Sequence, residues 1–216
     1  MLFRLNKELV FPDPSLAEPD GLLAIGGDLS PERLMLAYRN AIFPWPIAGQ
    51  PLLWFSPHER FVLFPGNLKV SSSMRKQMRK HVFEITTNQA FEEVIHACAK
   101  TKRSKQRGTW ITADMEKAYI RLHLLGVAHS VEVWTDRKLV GGMYGVACDQ
   151  VFCAESMFSL VSNASKAALI SFVQNTSYTL IDCQVHSAHL ESLGAGMISR
   201  EEYLKTLHTE NNEKGA

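Results

Sequence analysis

The run TLIDCQV at residues 179–185 reads as a strand and carries two polar residues, Asp182 and Gln184, two apart. In a strand, residues two apart point to one face, so both polar side chains are expected together, with Ile181 and Cys183 opposite. Such a pair offers a negative charge and an amide at one point, and the neutral amide is a poor base. A second carboxylate, Glu155, stands in an otherwise apolar strand run, VFCAESMF. A buried carboxylate is costly without a partner, so Glu155 should meet either an internal cation or a charged ligand.

Several other chemistries lack their parts. Acyl-CoA enzymes cradle a pyrophosphate on a glycine-rich loop that opens a helix. The matching junction here, residues 157–163, is MFSLVSN and has no glycine. The eight histidines include no HExxH, and His186 and His189 lack the carboxylate or cysteine set that would complete a zinc site. There is no GxSxG elbow and no GK[ST] loop. Gly141, Gly142 and Gly145 lie inside a strand-like run, where glycine marks either a bulge or a close approach of a ligand.

Charge is unevenly spread. Residues 71–80 hold Arg75, Lys76, Arg79 and Lys80 with no acid, and residues 100–107 hold Lys100, Lys102, Arg103, Lys105 and Arg107, again with none. The net charge is only +1, so a nearly neutral chain acquires basic faces. The first residues, MLFRLNKELVFPDP, contain no apolar leader, and no apolar run approaches the roughly 18 residues of a membrane span. A cytoplasmic, monomeric protein is expected. Cys98, Cys148, Cys153 and Cys183 show no CxxC pair or disulfide framework.

The elements that must position these residues divide the chain. Residues 1–65 are proline- and turn-rich and read as a small N-terminal lobe with one helix, capped by Ser30 with Pro31 in its first turn. Residues 66–209 read as the main domain, and 210–216 as a frayed tail. A basic helix is expected over 71–80, followed by a strand, two helices, three strands, a helix and the TLIDCQV strand. Thr112 caps one helix, and Ser199 with Glu202 makes a capping box for the last. This is an α+β chain with a mixed, largely antiparallel sheet flanked by helices. Its succession resembles the acetyltransferase-like (GNAT-like) fold, which by itself gives no function.

Eight segments together are more specific: DGLLAIGGDLS, IFPWP, LWFSP, GTWIT, GGMYG, FCAESMFS, NASK, and LIDCQV followed by SLGA. In this order, over residues 10–205, the chain resembles the leucyl/phenylalanyl-tRNA–protein transferases. The resemblance implies transfer of Leu or Phe, less often Met, from an aminoacyl-tRNA to proteins beginning with Arg or Lys. This marks the acceptor for N-end rule degradation. No cofactor or metal is implied, since the ester of the charged tRNA supplies the free energy.

The resemblance also implies roles. Trp45 and Trp110 would hold the terminal adenosine, each indole contributing roughly 1–3 kcal/mol by stacking. Met143, Phe152, Met157, Leu169, Phe172 and Ile181 would surround the aminoacyl side chain. Methionine adapts to either Leu or Phe, and a greasy pocket separates apolar neighbours by only about 1–3 kcal/mol per methylene. Glu155 would take the α-amino group of the aminoacyl moiety. Asp182 and Gln184 would form the catalytic pair, Gln184 orienting the attacking amine and Asp182 holding Gln184 or drawing in the cationic N-terminus. Arg75, Lys76, Arg79 and Lys80, with Lys102 and Arg103, would contact tRNA phosphates. Two other functions fit parts of the sequence. A CoA-dependent N-acyltransferase fits the fold. An RNA-binding module without catalysis fits the basic windows but leaves Glu155, Asp182 and Gln184 unexplained.

Overall fold

The computed structural model describes residues 2–47, 49–101 and 110–208. Near the N-terminus β1 (Phe3–Leu5), β2 (Leu22–Gly26), β3 (Phe43–Pro44) and β4 (Leu53–Phe55) form a sheet in the order β1-β2-β4-β3. Between β2 and β3 runs α1 (Pro31–Arg39), where the Ser30 side chain accepts a hydrogen bond from the Arg33 N–H. That cap and the proline at the first turn start the helix where the sequence places it.

The second sheet contains β5 (Glu59–Leu63), β6 (Glu84–Thr87), β7 (Ala128–Thr135), β8 (Lys138–Cys148), β9 (Val151–Ser159), β10 (Leu180–Asp182) and β11 (Gly196–Ser199). Their order is β11-β5-β10-β9-β8-β7-β6. Neighbours are antiparallel except β9 and β10, which run parallel. The mixed, largely antiparallel α+β architecture expected from the sequence is therefore present. β5 falls within residues 1–65 but hydrogen-bonds into this larger sheet, so the small sheet closes at Phe55.

Both faces of the large sheet are covered. On one, α3 (Phe91–Lys100) and α4 (Ala113–Leu124) pack Val94, Ile95, Met115, Tyr119 and Leu122 with Val146, Cys153 and Phe158. On the other lie α2 (Ser72–Arg79) and α5 (Ala164–Asn175), the latter packing Ala167, Ala168, Leu169 and Val173 with Val131, Val133, Met143 and Phe152. The short α6 (Ala188–Glu191) follows β10, and α7 (Arg200–His208) buries Tyr203 and Leu207. A sheet buried on both sides reads as continuous apolar runs, which explains why β8 and β9 show little alternation.

Two irregularities shape the site. Tyr144 opposes Ser156 while Gly145 opposes Ala154, so Glu155 is the extra residue of a β-bulge. The bulge reverses the strand's facing. Cys153 and Phe158 share one core and Phe152 and Met157 the other, although each pair differs in parity. Gly145 sits opposite this bulge, and a Cβ there would collide with the Cys153 carbonyl oxygen and the Phe152 ring. Gly141 would likewise press on Ala164. These glycines serve close packing of the sheet.

The second irregularity ends β10. Its pairing with β9 stops at Asp182 opposite Cys153, while β9 continues to Ser159. The Val185 N–H returns to the Cys183 carbonyl at 2.7 Å, closing a γ-turn centred on Gln184 at φ +63°. A positive-φ γ-turn is rare and strained, at a cost of about 1–3 kcal/mol. This corrects the strand reading of TLIDCQV: Gln184 lies beyond the strand, so simple alternation does not set its direction.

Candidate active site

Where β9 outruns β10, an open cleft of about 540 Å³ forms. One wall is the free stretch of β9, from Ala154 to Ser159, and the opposite wall is the chain leaving β10, from Cys183 to Ser187. Trp45, Trp110, Ser165, Leu169, His189 and Leu190 complete most of the lining.

Glu155 and Gln184 meet inside this cleft. The Gln184 side-chain amide donates to Glu155 Oε1 at 2.8 Å. The Tyr38 hydroxyl donates to the same oxygen at 2.8 Å, and the Tyr119 hydroxyl donates to Oε2 at 3.2 Å. Glu155 thus has no internal ion-pair partner among the described residues; hydroxyls and an amide satisfy it instead. Burial pushes its carboxyl up to about 7, against the Tyr38 hydrogen bond that lowers it. A cation brought to this point would favour the ionised form. With its amide nitrogen committed to Glu155, Gln184 presents its side-chain oxygen as an acceptor.

Asp182 is fully buried and does not line the cleft. Arg60 Nε lies 3.1 Å from each of its oxygens, and the other arm of the guanidinium is 3.0 Å from Oδ2. The Tyr203 hydroxyl donates to Oδ2 at 2.9 Å. The remaining interaction comes from the Gln184 backbone N–H, which donates to Oδ1 at 2.8 Å. Burial is the largest single influence and opposes the charge on Arg60, but Asp182 together with Tyr203 and Cys153 outweighs it and holds the guanidinium cationic. The guanidinium is also sandwiched between Phe43 and Tyr203, 4.6 and 4.7 Å from the ring centres. Asp182 is therefore spent on Arg60, and the expectation that it draws in a cationic N-terminus loses its basis.

The indoles of Trp45 and Trp110 lie against each other, 5.9 Å between centres and 30° between planes. Two stacked-base rises of about 3.4 Å each exceed that gap, so a base would stack on an outer face. Trp45 also leans on Phe43 at 6.2 Å. One line of rings thus runs from the indole pair to the Arg60 clamp.

Of the six residues expected around an aminoacyl side chain, Met157 and Leu169 reach the cleft. Met143, Phe152 and Ile181 are buried behind them in one core cluster, against which the partly buried Phe172 packs. Phe152 and Phe172 touch at 4.3 Å between ring centres. Arg75, Lys76, Arg79 and Lys80 are all exposed and line one groove on α2, with Met74 turned inward. α2 is tied to the head of α5 by the Asn163 amide, which donates to Gln77 at 2.9 Å. Lys102 and Arg103 lie outside the described residues.

Sequence reasoning missed Arg60, Tyr38, Tyr119 and Tyr203. Arg60 gave only a weak signal, a charge next to Glu59 at the head of the apolar run FVLF rather than within it. The tyrosines gave none, since their rings fit a helix's apolar face as well as any core residue.

A model of the leucyl/phenylalanyl-tRNA protein transferase family matches residues 62–208, and a model of that family's N-terminal domain matches residues 27–58. The chain is 54% identical over 213 residues to the leucyl/phenylalanyl-tRNA–protein transferase of Syntrophobacter fumaroxidans, covering 97% of this chain and 91% of that protein. It is 56% identical over 202 residues to the enzyme of the same name from Syntrophus aciditrophicus, covering 92% and 84%. Similarity to solved structures is remote: a GCN5-related N-acetyltransferase from Kribbella flavida aligns over 77% of this chain and 60% of that one, at 11% identity and a TM-score of 0.36. The chain belongs to the leucyl/phenylalanyl-tRNA protein transferase family.

Proposed function

We propose that this protein transfers a leucyl or phenylalanyl group, less often methionyl, from tRNA to the N-terminal Arg or Lys of an acceptor protein, marking it for N-end rule degradation. The observation that carries the reading is one cleft lined by an indole pair, apolar side chains, and the hydrogen-bonded Glu155 and Gln184. The terminal adenosine stacks on the outer face of the Trp45–Trp110 pair. The aminoacyl side chain rests on Met157 and Leu169, with Met143, Phe152, Phe172 and Ile181 as the deformable apolar mass behind them. Glu155 binds the α-ammonium of that group. The phosphates of the acceptor stem lie along Arg75, Lys76, Arg79 and Lys80, joined by Lys102 and Arg103.

The chemistry needs position more than proton removal. A terminal α-amine has a pKa of about 7.7–8, so part of it is already neutral near pH 7. Its lone pair attacks the ester carbon, the carbon–nitrogen bond forms, and the carbon–oxygen bond to the ribose breaks. The amine proton ends on the released ribose oxygen. The Gln184 side-chain oxygen accepts an N–H of the incoming amine and sets its approach. The protein works as a cytoplasmic monomer, with a small N-terminal lobe that closes at Phe55 and supplies Trp45, and a main domain whose sheet begins at β5.

The test is a transfer assay with labelled leucyl-tRNA and peptides starting with Arg, Lys or Ala. Labelling of the Arg and Lys peptides alone is expected. Absence of any peptide product, or labelling dependent on acyl-CoA, would reject the reading.

A further inference from the structure

We infer that Arg60 is a positioning residue for the transfer reaction, acting through Asp182 on the backbone of Gln184; this rests on the function proposed above. Three observations carry it. The guanidinium reaches both Asp182 oxygens, and the Gln184 N–H is held by one of those same oxygens. Gln184 adopts a positive-φ conformation that its own residue type does not favour. Arg60 itself cannot wander, because Phe43 and Tyr203 clamp its plane and its far nitrogen donates to the Ala41 carbonyl at 3.3 Å.

The arrangement divides labour between two carboxylates. Glu155 addresses the side chain of Gln184, and Asp182 addresses its backbone. Asp182 can fix that backbone only if its own orientation is fixed, and the planar fork of an arginine does this where the point charge of a lysine does not. β5, which brings Arg60, pairs directly with β10, which brings Asp182, at Val62 opposite Asp182. The sheet register therefore delivers the clamp to the turn. Arg60 stays out of the cleft, so its effect on rate must travel through the shape of the γ-turn.

The experiment compares Arg60→Lys, and Arg60→Ala with and without added guanidinium, against the wild-type chain. It reads the single-turnover transfer rate, the dissociation constant for charged tRNA and the thermal midpoint. Arg60→Lys should lower the rate constant about 10- to 100-fold while leaving tRNA binding within about threefold. Guanidinium at tens of millimolar should restore at least tenfold of the rate in Arg60→Ala and nothing in Asp182→Ala. A full rate in Arg60→Lys would overturn the inference. So would an Arg60→Ala chain that folds, loses rate and binding together, and gains nothing from guanidinium. If Arg60→Ala fails to fold, the Arg60→Lys rate decides alone. A wild-type chain that transfers nothing would instead reject the function, and the positioning role with it.

Discussion

Asp182 touches the backbone of Gln184 and not its side chain: the 2.8 Å hydrogen bond runs from the Gln184 N–H to Asp182 Oδ1, while the Gln184 amide turns to Glu155. A relay of charge from the Asp182 carboxylate into the Gln184 amide has no contact to follow. Asp182→Ala would leave Arg60 buried and unpaired, and breaking such a pair costs about 3–5 kcal/mol. Denaturant unfolding of Asp182→Ala should show a loss of that size, together with slowed transfer. Gln184→Ala should slow transfer with a loss of stability under about 2 kcal/mol, since it leaves Glu155 only one donor short. Equal destabilisation by the two variants would contradict the division of roles.

Glu155 makes stability depend on pH in an unusual direction. Its carboxyl sits at about 7 in the folded chain against an ordinary 4.5, because burial penalises the charged form. The folded state therefore holds this proton more tightly than the unfolded one. The stabilising contribution is complete below pH 4.5 and is lost as pH rises through about 7. A tenfold change in proton affinity is worth about 1.4 kcal/mol, so the full swing is about 3 kcal/mol. Glu155→Gln removes the titration. Relative to wild type, this variant should gain stability as the buffer moves from about pH 5 to about pH 8, by chemical denaturation. A difference constant across that range would mean that Glu155 is not held protonated by burial. Transfer by the same variant should fall because the α-ammonium loses its counter-charge.

How much of this was readable from residue order varies by element. α1, α4 and the last helix began at Ser30, Thr112 and Ser199 as expected, because capping is local chemistry between residues three apart. The strands β7, β8 and β9 were legible from their apolar runs. β5 and β11 were not. They are short, turn-flanked pieces that become strands only by pairing with each other and with β10. Glu155 was recognisable as a charge in an apolar run, yet its inward aim depends on a bulge set by Gly145 on the neighbouring strand. Gln184 was found with the wrong geometry, since the strand period cannot announce a γ-turn. Arg60 is far from Asp182 in sequence, and only the register of β5 on β10 makes them partners.

Gly145 offers a direct check on the bulge. A methyl group there would strike the Cys153 carbonyl and the Phe152 ring, both in the sheet interior. Overpacking of this kind costs about 1–3 kcal/mol. Gly145→Ala should lower stability by at least that much and disturb Glu155, so transfer should fall further than stability alone explains. Gly66→Ala, where nothing lies near the added carbon, is the control and should be close to neutral.

The indole pair should behave as one platform. The rings are too close to admit a base between them, so on the proposed function a base would meet one indole and the other would support it. Replacing either Trp45 or Trp110 by Ala should weaken binding of a leucyl-adenosine ester by about 1–3 kcal/mol, read by equilibrium dialysis. The double variant should lose less than the sum, since one ring holds the other. Strict additivity would favour two independent stacking sites.

The basic face of α2 makes the salt dependence of tRNA binding predictable. Arg75, Lys76, Arg79 and Lys80 are exposed and share a groove, so they can be replaced without touching the core. Each phosphate neutralised releases condensed counterions, and the slope of log affinity against log salt changes by about 0.7–0.9 per contact. Replacing all four by Gln should reduce the slope by about 3 if they all touch the acceptor stem, and correspondingly less if only some do. The affinity loss should be large at about 50 mM salt and shrink toward about 200 mM, because the lost interactions are the screened ones. Thermal stability should be nearly unchanged. Filter binding of charged tRNA across this range reads the slope directly. A slope equal to that of wild type would mean that α2 faces solvent in the complex, and the electrostatic contact would have to be sought elsewhere on the surface.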